Sequence, residues 1–102
     1  MRLIEILSGK ISEEISDAKS YAKMALENRE SYPDLAQTLY DLSQEEMNHV
    51  EKLHSAVAEL INRYRAEHGD PPKEMMTLYD YLHRKHVAEA MSIRVKQGMY
   101  KE

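Results

Sequence analysis

Apolar side chains recur along this chain at alternating intervals of four and three residues, the spacing of a single stripe on an α-helix. The clearest run is Leu35, Leu39, Leu42, Glu46, His49, Leu53, Ala56 and Leu60, with six of its eight positions apolar. An earlier run keeps the same rhythm through Ile4, Leu7, Ile11, Glu14, Ala18, Tyr21 and Ala25. The two stripes predict a first helix over about residues 3–30 and a second over about 33–67. Gly9 lies inside the first and costs about 1 kcal/mol of helix propensity. The unbroken stripe across it favours one continuous helix.

Ser31-Tyr32-Pro33-Asp34 reads as a turn into the second helix, with Pro in its first turn and Asp34 at the positive end of its dipole. So short a connection makes the two helices antiparallel neighbours. His68-Gly69-Asp70-Pro71-Pro72 is a stop signal: Gly69 suits a left-handed C-terminal cap and the prolines prevent continuation. A third helix is expected over about residues 73–100, but its stripe is blurred. One tracing runs through Leu82, His86, Ala90 and Ile93, another through Tyr79, Val87 and Ala90. The expected fold is all-α, a long helical hairpin plus a third helix in a single domain over residues 1–102.

Composition narrows the classes of function. Charged residues make up 31% and the net charge is −4, with no Lys/Arg run to form a basic patch, so nucleic acid is not an expected partner. There is no cysteine, which removes disulfides and thiolate metal sites and fits a reducing, cytoplasmic setting. No apolar run approaches the roughly 20 residues of a membrane span, and the start of the chain is too short and charged for a signal peptide.

The candidate chemistry lies where the stripes turn polar. Glu46 and His49 stand one helical turn apart among leucines, and Glu14 interrupts the first stripe, with Glu13 the alternative if that helix is rotated. Glu14 lies about 16 residues before the turn, and Glu46 and His49 about 13 and 16 after the start of the second helix. At 1.5 Å per residue these depths agree, at roughly 20–24 Å. Three polar groups should therefore meet at one level. Burying a carboxylate requires a partner charge, a hydrogen-bond network or a metal. Two carboxylates and an imidazole suit Fe, Mn or Zn, and Glu and His at i and i+3 project the same way. One hairpin supplies three ligands and leaves half a core open. A homodimer would complete a four-helix bundle with four Glu and two His. The alternative is a buried polar layer that only fixes helix pairing in a non-enzymatic assembly module.

Glu14 with Glu46-Met47-Asn48-His49 resembles the ligand pattern of the ferritin-like di-iron carboxylate superfamily: one Glu from each of two helices, and Glu-x-x-His from each of two others. Glu14, Ala18 and Tyr21 are also similar to that family's first ligand helix. The resemblance spans the first two helices and implies a di-iron (or di-manganese) site at a dimer interface. It further implies ferroxidase-type oxidation of Fe(II) or iron storage, with no catalytic residue beyond the ligands and Tyr21 as a hydrogen-bonding neighbour. The chain has half the family's usual helices, as half-length encapsulated ferritins do, and lacks the cysteine cluster of rubrerythrins. Its polar tail, Lys96 to Glu102, does not resemble an encapsulin-targeting signal. A second Glu-x-x-His, Glu51 to His54, falls on the side expected to face solvent, as does His68. His83 and His86 read as surface or interface residues.

Overall fold

A computed structural model describes residues 2–102 and contains three α-helices: α1 (Arg2–Asn28), α2 (Pro33–His68) and α3 (Lys73–Lys101). No strand occurs among the described residues, and none of their helices is long and apolar enough to cross a membrane. The molecule measures 55 × 18 × 17 Å. Its long dimension is the length of α2, since 36 residues at 1.5 Å each span about 54 Å.

α1 runs through Gly9 without a break. α2 begins at Pro33, whose missing N–H lies where a helix has no internal acceptor for it, and Tyr32 caps it without a side-chain bond. At the far end Gly69 takes φ +80°, and its N–H donates to the Arg65 carbonyl at 3.0 Å. That left-handed backbone is why a glycine stands there.

Cross-helix contacts give the topology. Ser43 meets Ala18 and His49 meets Glu14, so partners in α1 and α2 rise and fall in opposite order: the hairpin is antiparallel. Ser12 meets His86 and Arg29 meets Met99, which makes α3 parallel to α1. α3 packs chiefly on α1 and more lightly on α2.

The buried positions of α1 are Ile4, Ser8, Ile11, Ile15, Ala18, Ala22 and Ala25, and those of α2 include Ala36, Leu39, Ser43, Met47, Val50, Val57 and Ile61. Part of the α1 stripe has therefore moved over by one residue, with Ser8, Ile15 and Ala22 replacing Leu7, Glu14 and Tyr21, and on α2 nearly all of it has, Leu39 alone staying buried. The cause is α3. It fills the groove on one side of the hairpin and draws the most buried line toward itself. The predicted stripe survives as a half-buried line on the opposite side: Leu7, Glu14 and Tyr21 on α1, and Leu42, Glu46, Leu53, Ala56 and Leu60 on α2.

α3 itself is lightly anchored by apolar contacts. Only His86, Ile93 and Gln97 are buried on it; Tyr79, Leu82 and Ala90 are half-buried and Val87 is exposed, which selects the tracing through Leu82, His86, Ala90 and Ile93. Polar contacts set its register. Gln97 donates to the Ser43 hydroxyl at 2.8 Å, and Ser43 donates on to the Ala18 carbonyl at 2.8 Å, a buried chain joining all three helices. Tyr100 stacks on Tyr40 with ring centres 4.9 Å apart. The Arg29 guanidinium donates to the carbonyls of Met99 and Tyr100 at 3.0 and 3.4 Å. A cation thereby adds to the Glu102 N–H already on the Met99 carbonyl at the negative end of the helix dipole.

Candidate metal centre

Glu14, Glu46 and His49 converge on the open side of the hairpin, opposite α3. Helix geometry brings this about. Glu46 and His49 lie one turn apart on α2, and the antiparallel turn at 29–32 brings Glu14 to their level. Each residue offers one ligand atom, and the three atoms lie within 4.8 Å of one another. His49 Nδ1 is 3.3 Å from Glu14 Oε2 and 3.9 Å from Glu46 Oε2. Burial is graded: the Glu46 side chain retains 18% of its exposure, Glu14 27% and His49 53%. The imidazole thus stands at the solvent edge, with the carboxylates inside it.

The Glu46 Oε2 atom is shielded from solvent and has no hydrogen-bond partner. Leaving such an acceptor unmet costs about 1–3 kcal/mol, and more when it is charged. The imidazole Nδ1 of His49 lies 3.9 Å away, beyond hydrogen-bonding distance. A cation in the space between the three groups would meet that need. With its proton on Nδ1, His49 donates to Glu14; without that proton, the same nitrogen offers a lone pair. Two hard oxygen donors and an imidazole suit iron, manganese or zinc. On this observation the residues fit a metal ion. Glu13 points elsewhere: it is exposed and paired with Lys10 at 3.4 Å. Tyr21 is half-buried on the same side of α1, two turns from Glu14.

In the second Glu-x-x-His copy Glu51 faces solvent as expected and His54 does not. Glu51 is exposed and pairs with Arg94 at 3.2 Å, whereas His54 is half-buried and its Nε2 lies 2.6 Å from Nδ1 of His83. One turn along, buried His86 places Nε2 2.8 Å from the Ser12 hydroxyl. Burial pushes the His54 pKa below its usual value, and neighbouring His83 adds to this. For His86 burial is again the main cause of a lowered pKa, opposed by Glu89 and reinforced by His54, Lys85 and His83. His68 is exposed as expected. The signal for His54 was present in the chain: Val50, His54, Val57 and Ile61 repeat at four, three and four residues, a stripe parallel to the more leucine-rich one.

The arrangement therefore separates two polar clusters. A carboxylate–imidazole group occupies the open side of the hairpin, and an imidazole group lies beneath α3. No family model, curated protein or solved structure matches this chain.

Proposed function

We propose that the protein is a metal-binding, ferritin-like homodimer that holds two iron (or manganese) ions between its subunits and oxidises Fe(II). The observation that carries this reading is the solvent-shielded, unpartnered Glu46 Oε2, with a carboxylate and an imidazole within 4.8 Å. Glu14, Glu46 and His49 of each subunit would hold the ions. Bound iron would supply the redox chemistry, its electrons passing to O₂ or peroxide. The chain's own part is to bind and orient the ions, His49 through a ring nitrogen that carries no proton.

The dimer is supported by the surface around the site. Leu7, Tyr21, Leu42, Leu53, Ala56 and Leu60 flank the three ligands and are only half-buried, while Leu3 and Leu35 are each 48% exposed. A second hairpin laid on this face would cover that apolar surface and bring the donors to four Glu and two His, the inventory of a di-iron bundle. A reducing, cytoplasmic setting would keep iron as Fe(II) and fits a chain without cysteine.

The test is anaerobic loading with Fe(II), followed by metal analysis, absorbance on admitting air, and mass in solution. About one iron per chain, as two ions shared by two copies require, with an oxidation signal in air, supports the reading. Iron binding without turnover would leave a storage role. No stable iron, together with an unchanged dimer in an E46A/H49A variant, would overturn the metal reading; no stable iron with a dimer lost in that variant would leave a polar layer that serves pairing alone.

A further inference from the structure

The imidazole cluster under α3 lies on the opposite side of the hairpin from the metal ligands and has no part in that site. We propose that His54, His83 and His86 form a proton-operated latch: uncharged, they hold α3 against the hairpin, and on protonation they release it.

The contacts themselves need lone pairs or uncharged surroundings. His83 Nδ1 and His54 Nε2 are 2.6 Å apart, so one nitrogen donates and the other must accept. One extra proton can be shared between the rings. A second leaves two cations with ring centres 4.3 Å apart. His86 is buried to 4% exposure against the Ser12 hydroxyl, whose own proton can reach the Ser8 carbonyl at 3.2 Å. Charging that ring places a cation out of solvent beside the other two.

Of the carboxylates near the cluster only Glu89 favours a charged His86, and burial outweighs it. Glu51 of α2 is held by Arg94 of α3 at 3.2 Å, and Glu89 of α3 lies 4.0 Å from Lys85. Lys85 itself adds positive charge beside His86. Tyr79 stacks on His83 with centres 5.8 Å apart, and its pKa is raised, chiefly by burial and also by Asp80, so it stays uncharged. α1 presents the Ser12 hydroxyl. Three incoming protons would therefore meet one carboxylate, Glu89, against lysine, arginine and one another.

α3 is also the element least able to resist. Of its three buried residues two are polar, and Ile93 is the one apolar member. Release would uncover Ile15, Met47, Val50 and Val57 on the hairpin while leaving Glu14, Glu46 and His49 in place. The low pKa of His54 and His86 accords with a latch that is closed near neutral pH and opens under acid conditions.

Spin labels on the pair K19C/S92C, both exposed positions in a chain with no other cysteine, would report the α1–α3 separation. Between about pH 8 and about pH 5, a range that spans histidine titration, the distance should lengthen for most molecules while far-ultraviolet ellipticity is retained. In an H54Q/H83Q/H86Q variant, which keeps His49 and all carboxylates, the short distance should persist at both pH values. An unchanged distance in the parent, an equal lengthening in the Gln variant, or helicity lost together with the distance would each overturn the proposal. Should the triple variant fail to fold, the single H83Q change at a half-buried site gives a second reading. Its opening should occur at lower pH and over a broader range; an unmoved transition overturns the latch.

Discussion

Glu14 and His49, 35 residues apart in the chain, meet across the hairpin with 3.3 Å between Oε2 and Nδ1. Neither reaches Glu46 Oε2 with a hydrogen bond. The group is thus two carboxylates and an imidazole within 4.8 Å with one acceptor left over, and the carboxylate of Glu46 is a burden when no cation is present.

That burden can be measured. The E46Q change keeps the shape and removes the charge, so the metal-free protein should gain roughly 1 kcal/mol in urea unfolding. Added divalent metal should raise the parent's stability by about 2.7 kcal/mol at a hundredfold excess over Kd, and should leave the variant unmoved. A variant that is weaker without metal, or that responds to metal equally, would contradict the site.

Ser43 joins three helices through two hydrogen bonds of 2.8 Å. In S43A the Gln97 amide loses its buried acceptor, which should cost about 1–3 kcal/mol. Because that bond also sets the register of α3, amide exchange should quicken over α3 more than over the hairpin. Uniform acceleration along the chain would argue against the assignment.

The lowered pKa values of His54 and His86 make stability depend on pH in a fixed direction. Below the ordinary histidine value of 6.5 the unfolded chain takes up protons that the folded chain refuses, so unfolding becomes easier as pH falls. The loss should begin near about pH 6.5 and level off once the depressed folded-state values are passed. Denaturation midpoints measured across this range should fall in the parent and stay flatter in H54Q/H86Q.

Gly69 is the one described residue with positive φ, at +80°, and its N–H closes the end of α2 on Arg65. G69A meets no steric obstacle from neighbouring atoms, so its effect isolates backbone strain. About 1–3 kcal/mol should be lost, because φ +80° with ψ −162° is a region only glycine occupies readily, and thermal unfolding of G69A beside the parent would check it.

The helices and their order were legible because stripes of apolar residues, a proline at Pro33 and the Gly69-to-Pro72 stop are local signals. The meeting of Glu14 with His49 was legible too, since depth along two antiparallel helices is arithmetic. What could not be read was which side of the hairpin α3 would take. Leu7, Glu14 and Tyr21 look as well suited to a core as Ser8, Ile15 and Ala22 do until a third helix chooses between them. The stripe of α3 was blurred for a related reason: its buried face carries His86 and Gln97, residues whose burial is made acceptable by Ser12 and Ser43 on other helices. Such long-range hydrogen bonds leave no periodic trace. His54 differs, since the stripe Val50, His54, Val57 and Ile61 does carry its burial; only its partner His83, 29 residues away, leaves no local sign.

The one-residue offset between the most buried line and the half-buried line occurs on both α1 and α2, and it makes the hairpin modular. Ser8, Ile15 and Ala22 govern how α3 sits; Leu7, Glu14 and Tyr21, their immediate neighbours in the chain, govern the opposite surface. Substitutions at alternate members of adjacent pairs can therefore remodel one side while the other is conserved. A three-helix protein of this size thereby gains two independently adjustable faces from a single pair of helices.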